Sequence, residues 1–488
     1  MIKMNYENVM KLALERGFYF PSCEVYADAQ AGFWEYGPCG VGLKNKFLEL
    51  WRRELIRRDG MLEIDGSQIM SKSVFEASGH LGSFADPIIK CTNCKATFRA
   101  DRIIAEVSKI EIPESADLIE FDKAIKENDI KCPKCKGVFE NTKKFNMMFK
   151  VGIGPEGETA YLRPETCQSI FVDFPRLFKI MRGKLPLGIA QVGKSFRNEI
   201  APRQSLLRLR EFYQAEIEVF CNPEKLDEIE RFSEIQNTVI RVQIDSEPVS
   251  MTCKEAVESG VIPNKFVAYY LGILIEFYEK TGIDITKSRF RKLGDKEKAF
   301  YAEVAFDFEV ETTVGWLELV ACNYRSDYDL SSHAKKSKEK FEVMDNEEKV
   351  LPHIFEISMG IDRSLYTILE HSLRDDKENE RIVLSLKPYL SPIHVGVLSL
   401  VKKDGLKEKT DEIYCQIKRK FDVFLDHSGA IGRRYRRLDE IGAPFAITVD
   451  HQTLEDDTVT IRMRDNMEQK RIKTSELDSI LTEFTAYP

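Results

Sequence analysis

The segment His353-Ile-Phe-Glu-Ile-Ser-Met-Gly-Ile-Asp-Arg-Ser-Leu-Tyr-Thr-Ile-Leu369 changes period in mid-run, which limits the folds open to the chain. Its first half alternates, with Glu356, Ser358 and Gly360 on one face and Phe355, Ile357 and Met359 on the other, as in a strand. Its second half has helical period, and Ile361, Leu365, Ile368 and Leu369 form an apolar stripe. A strand therefore hands directly to a helix, as in a sheet that carries a helical layer. Arg363 points roughly opposite the stripe, in the first helical turn, where the helix N-terminus favours an anion.

A second alternating pair lies upstream. In Gln191-Val-Gly-Lys-Ser-Phe-Arg-Asn-Glu199, read as a strand, Arg197 and Glu199 share a face. A short loop, residues 200–206, leads to a strand with Arg208, Arg210, Phe212, Gln214 and Glu216 on one side. A solvated hairpin face could carry such charges. Yet arginines suit a bidentate hold on phosphate, an aromatic ring can stack on a base, and a carboxylate accepts from an exocyclic amine. Those are the needs of an ATP site without a Gly-rich phosphate loop, and no G-x-x-x-x-G-K-[ST] occurs.

At 488 residues the chain has length for two to four domains. Its 43% hydrophobic and 31% charged residues exclude a disordered or membrane-embedded chain, and no apolar run reaches a bilayer's width. The first 17 residues mix charged with apolar positions, so no signal peptide is expected. A net charge of −8 leaves nucleic-acid contact to local basic patches. The 11 cysteines are too sparse for a disulfide scaffold, and two Cys-x-x-Cys pairs favour a reduced, cytoplasmic setting with a metal site.

Along the chain, Leu43, Phe47, Trp51 and Leu55 predict a helix over residues 43–58. Residues 90–144 read as an insertion rich in Lys and Glu, and 223–300 as a second, mostly helical one. Strands are expected at 305–311 and 316–322. Lys387-Pro388 and Ser391-Pro392 mark a linker between residues 1–385 and a small α/β domain, 386–488. There strands are expected at 395–401, 445–449 and 459–463, with a helix over about 407–420.

Phe196-Arg197-Asn198-Glu199 resembles motif 2 of the class II aminoacyl-tRNA synthetases, and Gly360-Ile361-Asp362-Arg363 resembles their motif 3. Gly32-Phe33-Trp34-Glu35-Tyr36-Gly37-Pro38, Leu162-Arg163-Pro164-Glu165-Thr166, Glu211-Phe212-Tyr213-Gln214-Ala215-Glu216 and Asp327-Tyr328-Asp329-Leu330 narrow the resemblance to the homodimeric type of glycyl-tRNA synthetase. Where motif 1 would end in proline, this chain has Met70-Ser71-Lys72-Ser73.

The resemblance implies a six-stranded antiparallel sheet flanked by helices, an α+β catalytic domain, and ligation of glycine to tRNA(Gly) through a glycyl-adenylate made from ATP with Mg²⁺. It implies that Arg197 holds the α-phosphate, Glu199 meets the adenine amine, Phe212 stacks on adenine and Arg363 holds the γ-phosphate. Asn198, Leu207, Arg208, Leu209, Arg210 and Glu211 would surround the nucleotide with Leu319, Gly360, Ile361 and Asp362. Glu318 would lie beside ATP and Mg²⁺. Glycine would be met by Arg99, Glu165, Phe212, Tyr213, Gln214, Ala215 and Glu216, and by Glu356, Ile357, Ser358, Met359 and Gly360. Attack by the glycine carboxylate needs no protein nucleophile, so no Cys, Ser or His is expected to act covalently.

Cys91-x-x-Cys94 and Cys132-x-x-Cys135 suit structural zinc, each turn presenting two thiolates, although the spacer exceeds the usual ~15–20 residues. In the last domain, Gly432-Arg-Arg-Tyr-Arg-Arg437 resembles the anticodon-binding domain of the glycine, histidine, proline and threonine enzymes. The aromatic-interleaved arginines are expected to contact RNA. A binding protein that had lost catalysis would be expected to lose its phosphate-binding arginines. This chain keeps Arg197, Arg210 and Arg363, with Glu199 and Phe212.

Overall fold

The computed structural model describes residues 5–113, 116–202, 204–244, 247–295, 297–299, 301–403 and 405–488. Residues 1–4, Arg203 of the expected loop and Phe300 at the end of the second insertion lie outside them.

The strands of the central sheet are, in chain order, β1 (Leu62–Ile64), β2 (Leu187–Phe196), β3 (Glu211–Cys221), β4 (Val239–Ile244), β5 (Glu247–Thr252), β6 (Ser288–Lys292), β7 (Val304–Thr312), β8 (Gly315–Ser326) and β9 (His353–Gly360). They lie in the order β5-β4-β6-β7-β8-β9-β3-β2-β1. The six strands from β6 to β2 are antiparallel throughout. β1 adds a parallel edge beside β2, and β4, parallel to β6, adds another with β5. The second insertion thus contributes strands as well as helices, and β4, β5 and β6 extend the sheet.

Alternation along β3 and β9 explains the layering. Ala215, Ile217, Val219, Phe355, Ile357 and Met359 are buried on one face. They pack in one core with α1 (Pro38–Trp51), α3 (Lys265–Thr281) and α4 (Ile361–Ser372). Each large apolar side chain fully buried there contributes roughly 1.5–3 kcal/mol. The helix expected over 43–58 starts earlier, because Pro38 at its first turn presets φ. Gly40 is needed there: a Cβ would lie 1.8 Å from the Phe18 carbonyl oxygen. The helix then continues as π turns over Arg52–Arg57.

The opposite face changes character along its length. Ile189, Phe220 and Ile354 pack under α2 (Cys167–Ile180), where Phe220 stacks on Phe174 at 3.9 Å. Gln214, Glu216, Glu356 and Ser358 lie further along it and open into a cleft.

Residues 395–473 form a five-stranded sheet: Val423–Asp426, Val395–Ser399, Phe445–Val449, Thr458–Met463, Gln469–Lys473 in spatial order. The first three strands are parallel and the last two antiparallel. Its junction with the larger part is polar and tied. Arg381 bonds Asp439 at 2.9 Å, and the Arg464 guanidinium donates to the Leu386 carbonyl at 2.8 Å. Leu386 and Leu390 pack in the large core.

Candidate active site

The cleft, about 310 Å³, has an arginine end and a carboxylate end. At the arginine end β2 stops at Phe196, and Arg197 leaves the strand as its backbone N–H bonds the Arg210 carbonyl. The Arg197 side chain donates to the Pro164 carbonyl at 3.1 Å and lies 5.3 Å over the Phe212 ring. Among the described residues it makes no ion pair with an acid. Arg208 bonds Glu199 at 2.6 Å. Arg363 donates to the carbonyls of Leu207 at 3.2 Å and Glu318 at 3.0 Å, and it stands 3.4 Å from the Glu318 carboxylate. Arg363 projects from the first turn of α4 away from the buried stripe of Ile361, Leu365, Ile368 and Leu369. Asp362 is anchored instead: it accepts from Tyr36 and from the Tyr213 N–H at 2.6 Å, and burial pushes its carboxyl up to about 6.

The carboxylate end follows from strand register. β3 and β9 set Glu216 opposite Ser358 and Glu218 opposite Glu356. The Glu216 carboxylate accepts from the Ser358 hydroxyl at 2.7 Å, the Thr166 hydroxyl at 2.5 Å and the Gln214 side-chain amide N–H at 3.1 Å. Asn323 and Arg325 of β8 hold Glu356 at 2.6 and 2.8 Å. Arg325 also forms a bidentate pair with Asp329, at 2.6 and 2.8 Å, and lies 3.7 Å over the Tyr301 ring. Burial pushes Glu356 up to about 7, with Glu216 adding like charge against the pull of Arg325. Burial and neighbouring Glu165 likewise raise Glu216. Burial alone would raise Glu165, but His80 at 3.3 Å and Arg325 outweigh it and hold the carboxyl well below its usual range. Arg163 fixes this segment by donating to the Lys194 carbonyl at 2.9 Å, and its guanidinium crosses β2 at Gly193, where a Cβ would lie 2.0 Å from its terminal nitrogen.

Most sequence-predicted positions line the cleft, including Leu207, Leu209, Tyr213, Leu319 and Gly360. Others lie elsewhere. Ala215, Ile357, Met359 and Ile361 are in the core on the far side. The Asn198 N–H donates to the Met147 carbonyl, Glu211 pairs with Lys194, and Arg210 bonds the Glu199 and Ala31 carbonyls. Arg99 sits in the insertion, bonded to Asp101 at 2.7 Å and Asp86 at 3.1 Å. Sequence reading missed Asn323 and Arg325. Their signal was polar residues at period two in an apolar strand.

The four insertion cysteines converge. Cys91 and Cys135 sulfurs are 3.5 Å apart and Cys94 and Cys132 3.6 Å, with all four within 4.8 Å of one another. Each pair ends in a matching turn: Lys95 and Lys136 take φ of 59° and 60° and donate back to the carbonyls of Cys91 and Cys132. Two such turns facing each other fit tetrahedral zinc. Cys132→Ser is expected to release about one equivalent of zinc and loosen residues 90–144 while the central sheet stays folded. Metal analysis with hydrogen exchange checks this; a metal-free, fully active wild type would contradict it.

In the C-terminal domain the arginine run lies on the helix Ile431–Ile441. Arg434 is buried and donates to the carbonyls of Ser399 and Asp426, and Arg437 pairs with Asp426. These two arginines hold the fold, and Arg433 and Arg436 are exposed.

Residues 149–372 match the tRNA synthetase class II core domain (G, H, P, S and T), and residues 394–484 match an anticodon binding domain. With the antiparallel sheet and the arginine projecting from its strand–helix junction, they define a class II aminoacyl-tRNA synthetase. The glycine–tRNA ligase of Methanocaldococcus jannaschii is 39% identical, covering 99% of both chains, and that of Pyrococcus furiosus 38%, covering 98% of this chain and 99% of that one. The chain belongs to the glycine–tRNA ligases. A solved structure described as the RNA binding domain of threonyl-tRNA synthetase from Cryptosporidium parvum shares the fold, with a TM-score of 0.60 and 18% identity over 98% of both chains.

Proposed function

We propose that the cleft binds ATP at its arginine end and glycine at its carboxylate end, and joins them as glycyl-adenylate before glycine passes to tRNA(Gly). The division of one cavity into these two ends carries the reading. Arg197, held at the arginine end by the Pro164 carbonyl and the Phe212 ring, would hold the α-phosphate and the glycine carboxylate that attacks it. As the carboxylate attacks the α-phosphorus, charge builds on the phosphoryl oxygens, and arginines fixed by backbone carbonyls stabilise it without reorganising. Pyrophosphate leaves toward Arg208 and Arg363. The terminal ribose hydroxyl of the tRNA then attacks the glycyl carbonyl and AMP leaves. Phe212 offers a face to adenine, and Glu199 an acceptor to its amine.

Magnesium would be held at Glu318 and Asp307. Burial and the nearby Glu318 push the Asp307 carboxyl up to about 7, and a divalent cation there would relieve the repulsion while neutralising phosphate charge. Among the described residues no helix is long and apolar enough to cross a membrane. With reduced cysteines, a cytoplasmic setting fits this activity. A homodimer is part of the same proposal.

The ammonium group binds the ionised carboxylates, so protonating Glu356 weakens it. Glycine KM in ATP–pyrophosphate exchange is expected to rise as pH falls through about 7, with kcat less affected. A glycine KM that stays flat between about pH 6 and 8 contradicts this assignment.

Residues 386–488 would hold the anticodon through Arg433 and Arg436. Reversing both to Glu is expected to raise the KM for tRNA at least ~10-fold and leave pyrophosphate exchange unchanged. Unchanged charging kinetics would exclude that surface.

A further inference from the structure

The carboxylate end holds more acceptors than an ammonium group uses. Glu165, Glu216, Glu218 and Glu356 are all buried there, and the nearby Arg325 is already divided between Asp329 and Glu356. A thiol completes the cluster. Cys167, at the start of α2, donates to Glu165 at 3.0 Å, and its sulfur and one oxygen each of Glu216 and Glu356 lie within 4.8 Å of one another. A second observation lies beside the cluster. Gln214 is 6% exposed and lines the same cleft, and among the described residues its Oε1 has no hydrogen-bond partner. Both Glu218 oxygens are likewise without a partner there.

We propose that Cys167, Glu216 and Glu356 form a second metal site, for a thiophilic divalent cation such as Zn²⁺, whose occupation excludes glycine. The inference rests on reading this pocket as the glycine site. One sulfur and two carboxylate oxygens are a donor set suited to zinc or cadmium and poor for magnesium, which takes oxygen alone. Four-coordinate zinc separates its ligand atoms by roughly 3.5 Å, so side-chain rotations closing about an ångström assemble the site. The unpartnered Gln214 Oε1 is a further oxygen beside Glu216. The thiol proton, now given to Glu165, passes to solvent as the metal–sulfur bond forms, and nothing is oxidised. Zinc and ammonium then compete for the same two carboxylates. The site would make glycine activation sensitive to free zinc, independently of the four-cysteine site in the insertion.

The test uses the full-length protein with its insertion zinc in place. Added Zn²⁺ is expected to raise the glycine KM in pyrophosphate exchange, leave the rate at saturating glycine unchanged, and stay unrelieved by excess MgATP. Cys167→Ala should need at least tenfold more Zn²⁺ for the same inhibition, each protein read against its own uninhibited rate. In the unmodified protein, Cd²⁺ should add an ultraviolet thiolate-to-metal band beyond that of the insertion, and glycine should abolish the added part. Equal zinc sensitivity in Cys167→Ala, relief by MgATP rather than glycine, or a cadmium band indifferent to glycine would overturn the proposal. Exchange without added metal separates the two readings: no glycine-dependent exchange sinks the pocket assignment itself, whereas normal exchange with non-competitive zinc sinks only the second site.

Discussion

Arg363→Ala is expected to lower glycine-dependent pyrophosphate exchange by about 10²–10³-fold while the protein stays folded. The magnitude follows from removing one preorganised charge from the transition state, roughly 3–4 kcal/mol. Structural damage should be small. The guanidinium bonds two backbone carbonyls that line the open cleft, and the side chain is about a third exposed, so water can take its place. The stripe of α4 that enters the core is untouched. An unchanged thermal midpoint with lost exchange fits the assignment; near-normal exchange removes Arg363 from the phosphate site.

The second large effect is expected at Glu216. Its carboxylate receives Ser358, Thr166 and Gln214, and on the proposed glycine site it would fill the space where a side chain on the substrate begins. Glycine offers no side chain to grip, so selectivity has to come from exclusion. An alanine methyl forced into this group would clash and strip its hydrogen bonds. That rejection exceeds the roughly 1–3 kcal/mol by which an apolar pocket separates one methylene. On that proposal, Glu216→Ala would remove both a charge facing the ammonium and the obstacle to a methyl. Glycine kcat/KM should fall about 100-fold or more, with a smaller loss for alanine, so the preference narrows. Ser358→Gly should act in the same direction with a smaller loss. Parallel exchange assays with the two amino acids read the result, and an unaltered ratio would place the selectivity elsewhere.

Much of this site could be read from single segments. The change of period after Gly360 marked the junction of strand and helix where it lies, because alternation and helical spacing are local properties. The Cys-x-x-Cys pairs were equally plain. The meeting of Glu216 with Ser358, and of Glu218 with Glu356, was not, because register between β3 and β9 depends on the whole sheet. Arg325 escaped notice because its value lies in its partners, Glu356 of β9 and Asp329 of the helix Tyr328–Ser337 that follows β8. Alternate spacing misled at Arg208 and Arg210, read as strand with Phe212, Gln214 and Glu216 but lying in the loop before β3. The arginine run was visible, but which of its members turn inward depends on the helix face. Arg434 shares its stripe with Leu438 and Ile441, a spacing the sequence contains and charge counting overlooks.

The central claim is that one cleft activates glycine and excludes larger amino acids by its buried carboxylates. ATP–pyrophosphate exchange run with each amino acid in turn tests it most directly. Glycine should support exchange, with alanine and serine weaker by at least about 100-fold and without a separate hydrolytic correction. Exchange with alanine or serine at a rate close to that with glycine would contradict it.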